Sequence, residues 1–203
     1  GDIIAAKNAT AVLPLASLTK LMTAIVASEK IDQTKTALVT AAAVATFSAA
    51  GNLTVGERLP VGELIYPLLL ESSNDAAEVI AHQLGRNDFI NQMNIKAKTL
   101  SLMTTAFTDP TGIEATNVAS AHDLFKLLKY FYQTKSAMFS ITGAHDYNFA
   151  GHRWVNSNKL ASDPRFIGGK NGHTALAKYT FAGVFDLPLA GLTSRTVAVI
   201  VLG

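Results

Sequence analysis

The patterning of apolar residues in this chain changes character once, near Ala144, and that change restricts the fold more than any other feature. Before it, apolar positions recur at helical spacing. Ala16 to Lys30 carries them at 18, 21, 22, 25 and 26, a broad face whose alanines predict a helix buried from several sides. Val61 to Glu71 reads as a helix despite Pro67, and Asp75 to Leu84 as a second, stopped by Gly85. Asn87 is placed to cap a third, running to about Leu102. Ser120, with Asp123 three residues later, opens an amphipathic helix to about Gln133. Gly51-Asn52, Gly56 and Asp109-Pro110-Thr111-Gly112 mark turns.

After Ala144 the chain is rich in aromatic and β-branched residues in short runs. Phe166 to Lys170, Tyr179 to Phe185 and Thr196 to Leu202 read as strands, and Ile3 to Lys7 as a short one near the start. A strand, a helical block and then several strands joined by turns predict an α/β protein of the α+β type. The expected architecture is an antiparallel sheet packed with helices, rather than alternating parallel units.

Composition removes several classes of function. Hydrophobic residues make up 49% of the 203, enough for a sizeable core, yet no run reaches the roughly 18–20 apolar residues of a membrane span. Net charge is +2, and the lysines are scattered. Lys96 with Lys98, and Lys126 with Lys129, read as solvated helix faces. Without a basic stripe interleaved with aromatics, no nucleic-acid partner is expected. With no cysteine there is no disulfide framework and no thiol chemistry. The five histidines make no ligand-spaced pair, so no metal site is expected. His82 and His122 read as ordinary helix residues.

Three short motifs carry chemistry. Ser17-Leu18-Thr19-Lys20 sets a serine and a lysine one helical turn apart on one face. Burial disfavours an ammonium, and a neutral amine beside a hydroxyl can take its proton. By composition alone roughly one such match is expected in a chain of this length. Ser72-Ser73-Asn74 lies between two helices, where either Ser73 or Asn74 could simply cap the second. Lys170-Asn171-Gly172-His173-Thr174 follows a strand-like run, and its lysine could be an ordinary edge residue. Singly, each is weak. Together, each pattern occurs once, and in the order known from penicillin-recognising serine enzymes.

The residues around these motifs narrow the likeness. Pro14 to Ala24, Leu69 to Ala77, Phe107 to Ile113, Ala119 to Leu124, Asn156 to Leu160 and Gly169 to Thr174 resemble the low-molecular-weight D-alanyl-D-alanine carboxypeptidases, the S11 peptidase family. The stretches Phe107 to Ile113 and Ala119 to Leu124 are read as landmarks outside the active site. The resemblance implies a β-lactamase/transpeptidase-like fold with an all-helical lobe. It also implies that Ser17 is the nucleophile, Lys20 the base, and Ser72 a proton relay. Asn74, Lys170, Asn171, Gly172, His173 and Thr174 would bind substrate, with the oxyanion held by the amides of Ser17 and His173. The implied partners are a peptidoglycan stem peptide and β-lactams as covalent inhibitors, with no cofactor. The implied location is periplasmic or extracellular, facing the cell wall. Any peripheral membrane association would run through segments outside this chain.

Two residues depart from the family pattern: Asn171 stands where threonine is usual, and Lys178 follows Ala177 where glycine is usual. The family's first strand and C-terminal helix, with an arginine near the substrate carboxylate, would fall outside 1–203. The expectation is therefore one catalytic domain over 1–203, cut short at both ends. Three other readings share the motifs. A class A β-lactamase needs a deacylating glutamate, for which Glu78 is too close to Asn74 and Glu114 lacks the context. A D,D-endopeptidase would use the same residues in a differently shaped cleft. A silent relative that only binds wall peptides draws its support from Asn171.

Overall fold

The computed structural model describes residues 2–44, 50–189 and 192–203. In chain order they form β1 (Leu13–Pro14), a 3-10 turn (Ala16–Leu18), α1 (Thr19–Lys30), β2 (Thr36–Leu38), β3 (Arg58–Pro60), α2 (Val61–Leu70), α3 (Asn74–His82) and α4 (Arg86–Thr99). Then follow β4 (Val118–Ala119), α5 (Ala121–Thr134), α6 (Ser136–Ile141), β5 (Asp146–Phe149), β6 (His152–Val155), a second 3-10 turn (Lys159–Ser162), β7 (Phe166–Thr174), β8 (Lys178–Leu189) and β9 (Leu192–Val201).

The centre is α1. Every residue from Thr19 to Ala27 is buried, because α2, α3, α4 and α5 pack around it. Leu18, Leu21, Met22 and Ile25 are fully enclosed, and truncating a leucine in such a site costs about 2–5 kcal/mol. On one side, α2, α3 and α4 pack on one another as well as on α1. On the other, β7, β8 and β9 form an antiparallel sheet in the order β7-β8-β9, with α5 against β8 and β9 and α6 against β7. This is the helices-plus-antiparallel-sheet layout that the patterning predicts. No helix among the described residues is long and apolar enough to cross a membrane.

Local signals explain most boundaries. Ser73 caps α3 by accepting from the Ala76 amide at 3.1 Å. Ser120 caps α5 through the Asp123 amide at 3.2 Å. Three expectations need correction. Ile3 to Lys7 forms no strand: Ile3 and Ile4 are 78% and 69% exposed, and a strand is not stable without a partner and a face to bury. The cap of α4 is Gly85, at φ +83°, rather than Asn87. Finally, Lys96 is no solvated helix lysine. Its ammonium bonds Glu29 at 2.8 Å and Tyr130 at 2.9 Å, tying α4 to α1 and α5.

Two features escaped the sequence reading. The hairpin β5–β6 buries Trp154, whose indole N–H donates to the Gly51 carbonyl at 2.8 Å. Short ladders also pair β1 with β4 and β2 with β3. Such two- and three-residue strands are too brief to show a period of two.

At the turn between β7 and β8, exposed Lys178 adopts φ +54°, a left-handed conformation that costs a residue with a Cβ about 1–2 kcal/mol. A glycine, which the family resemblance leads one to expect here, would adopt that angle without the penalty. Lys178→Gly should raise stability by about 0.5–1 kcal/mol after allowing for glycine's greater unfolded-state freedom. Thermal unfolding checks this, and a lower midpoint would mean the lysine makes a compensating contact.

Candidate functional site

Ser17 lies in the 3-10 turn that leads into α1, half-buried, with Lys20 one turn on and completely enclosed. The Lys20 amine is 3.0 Å from Ser17 Oγ, 2.8 Å from Asn74 Oδ1 and 2.6 Å from the Thr111 carbonyl oxygen. The last two atoms only accept hydrogen bonds. A neutral amine has two N–H groups and one lone pair, so it can donate to those two and accept from the Ser17 hydroxyl. Burial pushes the Lys20 pKa well below its ordinary value, and the nearby Lys170 pushes it the same way, while Asp109 opposes them. Burial and the neighbouring Lys170 favour the neutral form of this amine, which faces the serine.

The second motif divides its labour. Ser73 caps α3, and Asn74, the first residue of that helix, sends its carboxamide oxygen to Lys20. Between α2 and α3, Ser72 is held at φ +63°, a strained angle for a side-chain-bearing residue that its surroundings must enforce. Several bonds do so. Both Glu71 oxygens accept backbone N–H groups, from Gly51 and Val155, each at 2.9 Å. The Leu70 carbonyl accepts from Ser157 N and Oγ, and Ser73 Oγ donates to the Ala50 carbonyl.

The third motif lies on β7. Lys170 is 1% exposed, and its amine donates to its neighbour's Asn171 carbonyl at 2.9 Å. Burial lowers its pKa to about 7. Gly172 is required by contact: a Cβ there would stand 2.7 Å from the Ser17 amide nitrogen and 2.7 Å from Thr180 Oγ1. Thr180 in turn donates to the Leu15 carbonyl at 3.0 Å, pinning the sheet to the segment before the nucleophile. His173 is exposed, its ring 4.5 Å from that of Tyr179 across the strand pair. Thr174 Oγ1 accepts from the Ala177 amide at 3.1 Å, which shapes the β7–β8 turn.

A cleft of about 950 Å³ collects these residues. Ser17, Ser72, Asn74, Lys170, Asn171, Gly172, His173 and Thr174 all line it, with Lys20 beneath Ser17. Segments separated by up to about 150 positions thus meet at one wall. Sequence reasoning missed part of this wall. Gly112 and Ile113 line the cleft, and the Thr111 carbonyl accepts from the Lys20 amine, so part of the stretch read as a landmark outside the active site borders this cleft. Ser157, Asn158, Lys159 and Leu160 line the cleft as well. Backbone contacts such as the Thr111 carbonyl leave no residue-type signal.

Helices gathered on α1 and an antiparallel sheet carrying Lys170-Asn171-Gly172 against Ser17 define a transpeptidase-like α+β protein. The comparisons agree. The family model described as Peptidase S11, D-alanyl-D-alanine carboxypeptidase, matches residues 1–186, and the chain belongs to that family. It is 30% identical over 192 residues to D-alanyl-D-alanine carboxypeptidase DacB2 of Mycobacterium tuberculosis, covering 90% of this chain and 66% of the relative. It is 33% identical over 135 residues to the D-alanyl-D-alanine endopeptidase of Pseudomonas aeruginosa, covering 63% of this chain and 43% of the relative. The Streptomyces K15 DD-transpeptidase crystal structure superposes with a TM-score of 0.85 at 28% identity, covering 98% of this chain and 84% of that one. The chain spans less than two thirds of the length of either relative.

Lys170 makes a stability prediction with a defined sign. Its pKa is about 7 in the fold against an ordinary 10.5. Between these values the unfolded chain takes up a proton that the folded one does not, so this lysine lowers stability as pH falls toward 7. Below 7 both states are protonated and the penalty is constant. Lys170→Met should therefore melt higher than the parent at pH 7, with the difference vanishing near pH 10.5. An equal gain at both pH values would show that lost charge is not the cause.

Proposed function

We propose that the chain is a serine D,D-carboxypeptidase that removes the terminal D-alanine from peptidoglycan stem peptides and is acylated by β-lactams on Ser17. The observation that supports this best is the enclosed Lys20 amine 3.0 Å from Ser17 Oγ, with its other two partners both acceptors. Ser17 Oγ attacks the carbonyl of the penultimate D-alanine as its proton passes to Lys20 Nζ. The negative oxygen that forms is held by the amides of Ser17 and His173, beside the space that Gly172 leaves open. The C–N bond then breaks, and the departing D-alanine amine takes the proton through Ser72 and Lys20. Water hydrolyses the acyl-enzyme by the reverse route. Lys170, cationic below about pH 7, presents positive potential to the substrate carboxylate beside Asn171. Catalysis of this kind by one domain spanning 1–203, on the cell-wall side of the membrane, completes the proposal.

The endopeptidase reading is favoured by the likeness to relatives named as endopeptidases, that of Pseudomonas aeruginosa among them. Release of D-alanine from diacetyl-Lys-D-Ala-D-Ala, set against cleavage of a cross-linked muropeptide, separates the two. Faster cleavage of the cross-link would assign the endopeptidase.

Ser17→Ala and Lys20→Ala should each abolish labelling by a fluorescent penicillin, with circular dichroism unchanged. Near-full labelling of Lys20→Ala at neutral pH would remove Lys20 as the base. For the carboxylate-bearing peptide, kcat/KM should decline as pH rises through about 7 while Lys170 loses its proton. A flat profile to pH 9 would remove Lys170 from carboxylate recognition. Asn171→Thr should raise kcat/KM if the carboxamide is poorly placed for that carboxylate, and no gain would mean that Asn171 already suits its substrate.

A further inference from the structure

The segment 109–114 holds a carboxylate that the proposed mechanism does not use. Asp109 is 2% exposed. Its Oδ1 accepts from Thr111 N at 2.6 Å, Thr111 Oγ1 at 2.6 Å and Gly112 N at 2.7 Å, and its Oδ2 from Glu114 N at 3.0 Å. Asn117 locks the same loop from outside: it donates to the Asp109 carbonyl and to Thr19 Oγ1 on α1, and accepts from Thr108 N and Asp109 N. Thr23, also on α1, donates to the Pro110 carbonyl at 2.6 Å. A Cβ on Gly112 would stand 1.9 Å from the Ala16 carbonyl oxygen, so the loop lies flush against the nucleophile's turn.

Four donors converging on one buried carboxylate are more than a turn needs. What they fix is the direction of one carbonyl, that of Thr111, which meets the Lys20 amine at 2.6 Å. We propose that Asp109 is a positioning residue for the base: it ties the loop so that the Thr111 carbonyl orients the Lys20 amine toward Ser17, and its charge acts on that amine. The assignment rests on the reading of Lys20 as the base.

The charges around Lys20 make the idea testable. From β7 it meets Lys170, from the 109–114 loop Asp109, from α3 the neutral Asn74 carboxamide, and from its own turn the Ser17 hydroxyl. Behind Asp109 stand Arg86 of α4, itself held by Glu78, and Glu114. Asp109 favours the ammonium form of Lys20, while burial and Lys170 disfavour it. In Asp109→Asn the carboxamide oxygen can still accept the donors now on Oδ1, but the charge is gone. Lys20 should then titrate at lower pH, and the acidic limb of acylation, which requires the neutral amine, should move down with it.

The experiment is a pH titration of the Lys20 Cε resonance in the 13C-lysine-labelled 203-residue chain, assigned by its loss in Lys20→Arg, alongside the pH profile of acylation by a fluorescent penicillin. For Asp109→Asn we expect both midpoints to fall by at least about half a pH unit. Unmoved or raised midpoints, or a loss of acylation equal at every pH, would reduce Asp109 to a structural brace and overturn the assignment. If the parent is not acylated at all, the proposed function fails, while the resonance titration still decides the role of Asp109. Should Asp109→Asn not fold, Thr111→Val removes one donor from the same carboxylate and keeps its charge. Acylation should then fall at least about threefold without a lowered midpoint, as expected for a slackened amine. A rate within about twofold of the parent would overturn the proposal.

Discussion

An amine taken wholly out of water is the constraint on which the rest of this structure depends. Lys20 has no solvent to hydrogen-bond, so each of its bonds must come from protein, and three segments far apart in sequence supply them: Ser17, Asn74 and Thr111. Those partners fix where α3 and the 109–114 loop must sit relative to α1. They also accommodate a neutral amine: two pure acceptors and one hydroxyl can serve two hydrogens and a lone pair, and burial lowers the Lys20 pKa toward that form. Burial thus does two things at once, organising the fold around α1 and lowering the pKa of the Lys20 amine.

Strain gathers at the same place. Ala16 at φ +48° and Ser72 at φ +63° are side-chain-bearing residues in left-handed conformations, immediately beside the proposed nucleophile in one case and at the proposed relay in the other. Each is held by a redundant set of contacts. Around Ser72 these are the backbone N–H groups received by Glu71 and the carbonyls that Leu70 and Ala50 present. Around Ala16 it is the approach of Gly112 and Gly172, neither of which has room for a Cβ. The glycine of Lys-x-Gly is therefore needed chiefly so that a strand can press against the Ser17 amide.

How much of this could be read from sequence depends on whether the signal resides in a side chain or in the backbone. Helices with a repeating apolar face were legible, as in α1 and α5, and so were caps such as Ser73 and Ser120. The nine residues singled out for the site drew notice because their types and order are unusual together; eight of them line one cleft, and Lys20 lies enclosed 3.0 Å from Ser17. Trp154 and its hairpin were not, because a four-residue strand carries too little period to separate it from a loop. The 107–113 stretch was placed outside the site because its contribution to Lys20 is a main-chain carbonyl, for which no residue type is diagnostic. The cap of α4 was misplaced because Gly85 and Asn87 are both plausible caps, and only the φ of +83° decides between them.

Two buried lysines share this cleft, and their difference is what makes it useful. Both are enclosed, and Lys170 disfavours a second charge on Lys20. Two ammonium groups in one low-dielectric site would repel, so one must give up its proton first. Lys20, with Ser17 to accept from and acceptors on its other sides, is the one stabilised neutral. Lys170, bonded to a carbonyl and titrating at about 7, remains cationic at mildly acidic pH. Environments that push like groups apart in this way are what the proposed roles of base and cation require of two residues of the same type. Asp109 matters in this balance because its charge opposes the other two influences on Lys20. On the proposed mechanism, that negative charge would keep the base from becoming too weak to draw a proton from the Ser17 hydroxyl.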